Sequence, residues 1–242
     1  MQGVFLCFLL FLTFLLSAVK IGIMKKDNLV IFDLDGTLLD TGRGITETIS
    51  YVLGLHGIIE TDRAVLNRFI GPPLVRCFEE WYGFSHEDAM TLLYEYRDYY
   101  TSTGMYHNDH YPGITALLSG LRDAGCTLAV ATGKPEYLAR DILEREGMSD
   151  YFAFIGGCTI DEKRTDKKEL IEYVLENLGL SGSENVIMIG DRHSDIDGAH
   201  RAGYRALAAL WGYGSRGEMT EACSDYYAET PEDVLSVIRH MI

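Results

Sequence analysis

Two aspartates, Asp33 and Asp35, follow a short apolar run and are the residues of this sequence best suited to chemistry. The run, Leu29–Phe32, is rich in β-branched and aromatic residues and predicts a buried strand. Gly36 then allows the chain to turn. Two carboxylates this close repel each other, so a cation or a proton must offset their charge. One aspartate can then act as an ionised nucleophile while the other transfers protons.

Strand and helix signals alternate along most of the remaining chain. Alternation of this kind predicts an α/β fold with a doubly wound parallel sheet, a Rossmann-like core, because parallel strands need helical crossovers. Short apolar runs indicate further strands at 126–131, 151–155, 185–189 and 206–210, and a helical tail at 231–241.

Residues 41–108 depart from the alternation and predict helices alone. Ile45, Ile49 and Val52 recur at helical spacing, Gly83 can end a helix, and Ser85 can cap the next one. We therefore predict an all-helical cap domain at 41–108, inserted into a catalytic core made of 25–40 and 109–242. Caps of this kind exclude water and select the substrate.

Further polar residues stand where predicted strands end. Thr132 and Gly133 follow the second strand, and Asp191 and Asp195 follow the fourth. Lys167 precedes the helix that leads to the fourth strand. The carboxyl ends of parallel strands share one edge of the sheet, so we expect these groups to converge with the first two aspartates.

The convergent groups are suited to phosphoryl transfer. A phosphate ester repels an anionic nucleophile, so a divalent cation must screen the approach. Asp33 and Asp191 offer the hard oxygen ligands that Mg²⁺ prefers, and the set lacks the thiols typical of zinc sites.

Each remaining group has a role in that reaction. Asp33 can attack phosphorus and form an aspartyl-phosphate, while Asp35 protonates the leaving alkoxide and later activates water. The Thr132 hydroxyl and the Gly133 amide can hold the phosphoryl oxygens. The Lys167 charge would stabilise the transition state.

The string at 33–37, Asp-Leu-Asp-Gly-Thr, resembles the first motif of the haloacid dehalogenase superfamily, most of whose members are phosphatases. Thr132 matches the second motif, although Gly133 stands where the family often has Asn. Lys167 matches the third motif, and its neighbour Lys168 is a rival for that position.

The acidic run at 190–195 resembles the fourth motif, which implies that Asp191 is a metal ligand supported by Asp195. The resemblance also implies that the backbone carbonyl of Asp35 meets the metal and that Gly36 lies against the substrate phosphate.

Two further strings, at 69–74 and 211–214, resemble the branch that contains phosphoglycolate phosphatases and 5′-nucleotidases. In that branch the cap determines specificity, which makes Gly71 and Arg76 candidates for facing the substrate. The expected substrate is a small phosphorylated metabolite, either phosphoglycolate-like or a nucleoside monophosphate. A phosphosugar mutase or a pyrophosphatase is the alternative, and a binding module without catalysis is disfavoured because every charged position is filled.

Composition excludes some partners and leaves the location open. The 242 residues carry a net charge of −15, which argues against nucleic-acid binding. Five widely spaced cysteines without a CxxC pair fit a reducing cytosol.

Residues 1–24 form an apolar extension, for which translation from Met24 and a cytoplasmic enzyme is the favoured interpretation. A membrane anchor or an export signal is the alternative. We expect a monomer or a homodimer.

Overall fold

The computed structural model describes residues 28–161 and 163–241, so the apolar extension at 1–24 lies outside the described residues. Within the described ranges, none of the helices has the length and apolar character needed to cross a bilayer. The strands are β1 Leu29–Phe32, β2 Leu39–Asp40, β3 Asp109–His110, β4 Thr127–Pro135, β5 Phe154–Cys158, β6 Val186–Gly190, β7 Arg205–Ala209 and β8 Tyr226–Ala228. The helices are α1 Gly42–Leu55, α2 Arg63–Asn67, α3 Leu74–Tyr82, α4 His86–Ser102, α5 Ile114–Asp123, α6 Glu136–Arg145, α7 Lys167–Leu178, α8 His193–Arg201, α9 Arg216–Glu221 and α10 Pro231–Met241.

Six of the strands form one parallel sheet in the order β5-β4-β1-β6-β7-β8. The chain builds outward from β1 through β4 to β5, and then crosses to β6 on the other side of β1. Such a reversal opens a crevice at the carboxyl ends of the central strands, where ligands of open α/β sheets bind. The doubly wound sheet predicted from the sequence is confirmed.

Side chains of β1 alternate between two apolar layers, as the pleat of a strand requires. Val30 and Phe32 pack with apolar residues of α1, α5, α6 and α10. Leu29 and Ile31 face the opposite layer, which α7 and α8 cover. Because side chains pack against both faces of β1, the strand is held in place. Asp33, which directly follows its last residue, is therefore fixed at the edge of the sheet.

Residues 41–108, called the insertion from here on, contain α1 to α4 and a short 3₁₀ turn, Gly104–Tyr106. The chain enters and leaves the insertion through a two-stranded antiparallel ribbon made of β2 and β3. Leu39 lies opposite His110 and Asp40 opposite Asp109. The all-helical content agrees with the sequence pattern, whereas the division into a separate cap and core stays a prediction.

One predicted strand is displaced in the structure. The sequence indicated 151–155, but Tyr151 ends a 3₁₀ turn and the strand runs over Phe154–Cys158. In the sequence, Gly156 and Gly157 resemble the end of a strand. In the structure they lie inside β5, where close packing requires glycine. A Cβ on Gly157 would lie 2.5 Å from the carbonyl oxygen of Lys134. The short β8 and α9 had no periodic signal and were not predicted.

Candidate active site

Three buried carboxylates meet at the carboxyl edge of the central strands. Asp33 follows β1, Asp191 follows β6, and Asp195 lies in the first turn of α8. Each offers a carboxylate oxygen, and these oxygens all lie within 4.8 Å of one another. The three residues are at most 6% exposed. The predicted convergence of these aspartates is therefore what the structure shows, although their roles remain to be tested.

Asp191 is held in place by groups from two loops. The Thr37 hydroxyl donates to Oδ1 at 3.1 Å, and the backbone amide of Tyr213 donates to Oδ2 at 2.8 Å. Burial raises the pKa of Asp191 well above its usual value, and the charges of Asp195 and Asp33 raise it further. The donors fix the direction in which the carboxylate points, and neither donor was singled out from the sequence.

Gly36 is placed against this carboxylate. Its φ is +84°, and a Cβ there would lie 2.3 Å from Asp191 Oδ2. Only glycine fits this turn, since a side chain would both strain the backbone and displace the carboxylate. The structure thus gives Gly36 a packing role, while the predicted contact with a substrate phosphate stays a prediction.

Lys167 joins the carboxylate group and Lys168 does not. Lys167 Nζ lies 3.0 Å from Asp33 Oδ1 and 2.8 Å from Asp195 Oδ1, and it donates to the carbonyl oxygen of Ala131 at 2.9 Å. Burial alone would lower the pKa of Lys167, but the two carboxylates outweigh burial and raise it. Burial raises the pKa of Asp195 to about 6, against the opposing effect of Lys167. Lys168 Nζ instead lies 3.6 Å from Glu172 on the helix surface.

The side chain of Asp35 lies outside the three-carboxylate group. Its Oδ1 is 3.2 Å from Nζ of Lys134, a buried residue that sequence reasoning missed. The same Nζ donates to the Tyr100 hydroxyl on α4 at 3.1 Å. The only sequence signal for Lys134 was its position two residues after Thr132. Asp35 was predicted to meet the metal through its backbone carbonyl, and that contact stays a prediction.

Thr132 and Gly133 line the same cavity as Asp33 and Asp35. Thr132 was predicted to follow a strand at 126–131, but it lies buried inside β4, which continues to Pro135 with a shift of register against β5. Its hydroxyl accepts a hydrogen bond from the Lys134 amide at 3.2 Å. Gly133 faces the insertion, because a Cβ there would lie 3.7 Å from the carbonyl oxygen of Gly71. The predicted phosphate-binding pair therefore stands between the carboxylates and the insertion.

Gly71 and Arg76 both line the cavity from the insertion side. The loop at Gly71 is bound to the core, since Arg192 Nη1 donates to the carbonyl oxygen of Ile70 at 2.6 Å. The side chain of Arg76 is 70% exposed and pairs with Glu80 at 2.7 Å, so it lies at the rim. The structure brings both residues to the cavity, and their contact with substrate stays a prediction.

The donor set at the sheet edge fits a magnesium ion. Asp33, Asp191 and Asp195 present hard carboxylate oxygens, with no thiol or imidazole among them. A divalent cation would also offset the repulsion of three buried negative charges, which Lys167 offsets only in part. The residues present would thus hold Mg²⁺ beside Asp33, which also lines the cavity.

Comparisons with known proteins find relatives named as phosphatases and a nucleotidase. The chain is 41% identical over 204 residues to a 5′-nucleotidase of Pseudomonas aeruginosa, covering 82% of this chain and 92% of that protein. It is 28% identical over 214 residues to a phosphoglycolate phosphatase of Aquifex aeolicus, covering 88% and 97%. The crystal structure of a predicted phosphatase from Clostridium acetobutylicum is 39% identical, with a TM-score of 0.85 over 88% of this chain and 99% of that one.

The match to a protein-family model covers both the sheet and the insertion. The sequence model of the haloacid dehalogenase-like hydrolases matches residues 30–209, which span β1 to β7. That range includes the three buried carboxylates, the two buried lysines and the four helices of the insertion. On this match and on the similarity to the relatives above, the chain belongs to the haloacid dehalogenase-like hydrolase family.

Proposed function

We propose that this hydrolase is a magnesium-dependent phosphatase that cleaves small phosphate monoesters through an aspartyl-phosphate on Asp33. The proposal rests on the arrangement of side chains around one cavity. Four of the predicted catalytic residues line this cavity, namely Asp33, Asp35, Thr132 and Lys167. The buried carboxylates of Asp191 and Asp195 lie next to Asp33. The names of the relatives support a phosphoglycolate or a nucleoside monophosphate as substrate.

The first half of the reaction transfers the phosphoryl group to the protein. A carboxylate oxygen of Asp33 attacks phosphorus, the bond between phosphorus and the ester oxygen breaks, and Asp35 gives its proton to the departing alkoxide. Thr132 and the Gly133 amide hold the phosphoryl oxygens, while Lys167 offsets the negative charge on them. When bound, Mg²⁺ supplies further positive charge that lets two anionic groups approach.

The second half regenerates the protein. Asp35, now ionised, takes a proton from a water molecule, and the water oxygen attacks phosphorus of the aspartyl-phosphate. Phosphate leaves and Asp33 is free again. Lys134 lies 3.2 Å from Asp35, which positions the carboxylate for both transfers.

Replacement of the nucleophile tests the mechanism. Asp33→Asn should lower turnover of p-nitrophenyl phosphate by at least about 10³-fold, because an amide oxygen is a much weaker nucleophile. Asp197→Asn, an exposed acid of α8, is the matched control and should keep near-normal activity. Mass spectrometry of acid-quenched protein should find one phosphoryl group on the peptide that contains Asp33. Near-normal turnover by the Asp33→Asn variant would refute the nucleophile assignment.

A sugar-phosphate assay separates the phosphatase from the mutase alternative. Hexose phosphates incubated with the protein and Mg²⁺ should yield free phosphate, measured by a colorimetric assay. An isomerised sugar phosphate without free phosphate would instead establish the mutase.

A further inference from the structure

The loop that follows β7, residues 211–214, lies against the candidate metal site and takes no step in the reaction proposed above. A Cβ on Gly212 would lie 2.4 Å from Asp191 Cβ, and one on Gly214 would lie 1.9 Å from the Asp191 carbonyl oxygen. Between these two glycines, the Tyr213 amide donates to Asp191 Oδ2 at 2.8 Å. Three successive residues of the loop therefore pack against Asp191.

The side chain of Tyr213 extends from this loop to the point where the chain enters the insertion. Its hydroxyl donates to Oδ1 of Asp40, the last residue of β2. The same hydroxyl accepts a hydrogen bond at 2.6 Å from the amide of Gly42, the first residue of α1. The Gly42 amide also donates to Asp40 Oδ1 at 3.2 Å, so the three groups bond to one another. Tyr213 thus binds Asp191 through its backbone and the entry to the insertion through its phenol.

The ring of Tyr213 is confined between these two ends. A Cβ on Gly36 would lie 2.7 Å from the ring atom Cδ2, and a Cβ on Gly42 would lie 3.0 Å from Cε1. Glycine at both positions lets the ring pack directly against the backbone. A rigid ring in close-packed surroundings transmits a displacement at one end to the other.

The exit from the insertion lies close to the same phenol. Tyr111 directly follows His110, the last residue of β3. Burial raises the pKa of Tyr111, the charges of Asp40 and Asp191 raise it further, and a hydrogen bond with Tyr213 opposes the rise. The chain therefore passes Tyr213 both on entering and on leaving the insertion.

On the basis of the magnesium site proposed above, we propose that Tyr213 is a positioning residue that couples metal binding at Asp191 to the attachment of the insertion at Asp40 and Gly42. A cation held by Asp191 fixes the carboxylate and, through it, the Tyr213 amide. The confined ring then holds Asp40 and Gly42 in place. Phenylalanine would fill the same space, so the hydroxyl and its two hydrogen bonds are what tyrosine adds. Because coupling is reciprocal, loss of these bonds must also weaken the binding of the metal.

Hydrogen exchange, followed by mass spectrometry, measures the coupling without catalysis. In the unaltered protein, saturating MgCl₂ should slow exchange in the segment 39–46 by at least about fivefold relative to EDTA, the lower end of usual coupling between sites. Tyr213→Phe, which retains the ring and the backbone amide, should lose most of that slowing. Tyr94→Phe, a change at an exposed tyrosine of α4, is the matched control and should retain it. Full slowing in the Tyr213→Phe variant would overturn the coupling.

Magnesium affinity gives a second measurement, from thermal unfolding at increasing MgCl₂ concentration. Tyr213→Phe and Asp40→Ala should each raise the Kd for Mg²⁺ by about tenfold, the lower end of losses when a group behind a metal ligand is removed. The double variant should be no weaker than either single variant, because both break the same contact. Asp40→Asn retains an acceptor oxygen and should retain the affinity. An unchanged Kd in both single variants would refute the role of Tyr213.

The same experiments separate this proposal from the phosphatase activity. If Mg²⁺ changes neither exchange nor thermal unfolding of the unaltered protein, the magnesium site and the coupling are both refuted. If the coupling is found but the protein releases no phosphate from p-nitrophenyl phosphate or from the substrates proposed above, the role of Tyr213 is supported and the phosphatase activity is refuted.

Discussion

Lys167 and Lys168 are neighbours in the chain but have opposite surroundings. Lys167 is buried between two carboxylates, whereas Lys168 lies on the surface of α7 and pairs with a residue one turn along the same helix. Sequence motifs alone left the choice between them open. The direction of the first turn of α7 separates the two, and that direction depends on the contact of the helix with β4 and α8.

This difference yields a paired prediction. Lys167→Met should lower kcat for p-nitrophenyl phosphate by about 10²–10³-fold, because a charge that stabilises the transferring phosphoryl group is lost. Lys168→Met should change kcat less than about twofold, since an exposed ion pair contributes little. Steady-state kinetics with saturating Mg²⁺ would measure both. A larger loss in the Lys168→Met variant would reassign the lysine.

Buried Lys134 and the partly buried Asp35 form a second ion pair, and its coupling is measurable. Lys134→Met should destabilise the protein by about 1–3 kcal/mol, since the partly buried Asp35 carboxyl group is left without its partner. The double variant with Asp35→Asn should regain most of that loss, which urea unfolding of the single and double variants would show. Additive losses in the cycle would mean that the two residues act independently.

At the residue scale, prediction succeeded where a side chain follows a strand. Asp33 and Asp191 could be placed near each other because the ends of parallel strands share an edge. Lys134 could not be placed, since its burial depends on Tyr100 from a helix distant in sequence. The Thr37 and Tyr213 contacts with Asp191 likewise depend on how two loops pack, for which the sequence has no periodic signal.

At the scale of elements, the loops around Asp191 approach each other more closely than side chains would allow. A Cβ on Gly212 would lie 2.3 Å from the Gly36 carbonyl oxygen and 2.4 Å from Asp191 Cβ. The loop after β7 and the turn after β1 therefore meet directly at the candidate metal site. In contrast, Gly54 near the end of α1 has nothing within 4 Å of a Cβ.

Two glycine substitutions should consequently act in opposite directions. Gly212→Ala should destabilise the protein by about 1–3 kcal/mol through overpacking, and it should raise the Mg²⁺ concentration needed for half-maximal activity by displacing Asp191. Gly54→Ala should stabilise α1 by about 0.5–1 kcal/mol and leave the magnesium dependence unchanged. Urea unfolding and a magnesium titration would report both effects. An unchanged magnesium dependence in the Gly212→Ala variant would contradict this account of the loops.

The sheet was predictable as a set of elements because its strands are short apolar runs separated by amphipathic helices. Elements of two or three residues were not, and β2, β3 and β8 form only because a partner strand is present. Leu39 shows the reason: its apolar side chain belongs to the core, but two residues are too few for a period-two pattern. The order of the strands in the sheet also depends on pairing between strands far apart in sequence. Composition does not determine that pairing.

At the scale of the whole molecule, negative charge dominates, and part of it is concentrated in one buried place. The net charge is −15, and three carboxylates lie together at the sheet edge. A cation that binds this group in the folded state, and not in the unfolded chain, must stabilise the fold. Stability should therefore depend on the metal as well as on the core.

Magnesium should raise the midpoint of thermal unfolding. At about 100 times its Kd, the gain is about 2.7 kcal/mol, which corresponds to several degrees for a chain of this size. Differential scanning fluorimetry with MgCl₂, and with EDTA as reference, would measure the shift. Asp191→Asn should abolish most of it. An equal shift with NaCl at matched ionic strength would attribute the effect to screening of surface charge.

The ribbon of β2 and β3 has a consequence for how proteins of this kind diversify. Because Leu39 and His110 are paired, the chain leaves the sheet and returns to it at neighbouring positions, about 5 Å apart. A segment whose ends meet can be lengthened, shortened or exchanged without stretching the sheet to which it is joined. Were 41–108 to determine substrate preference, as the sequence predicts, that preference could be inherited separately from the acids and lysines at the strand ends. On that prediction, grafting the segment between relatives would transfer the preference and retain the chemistry.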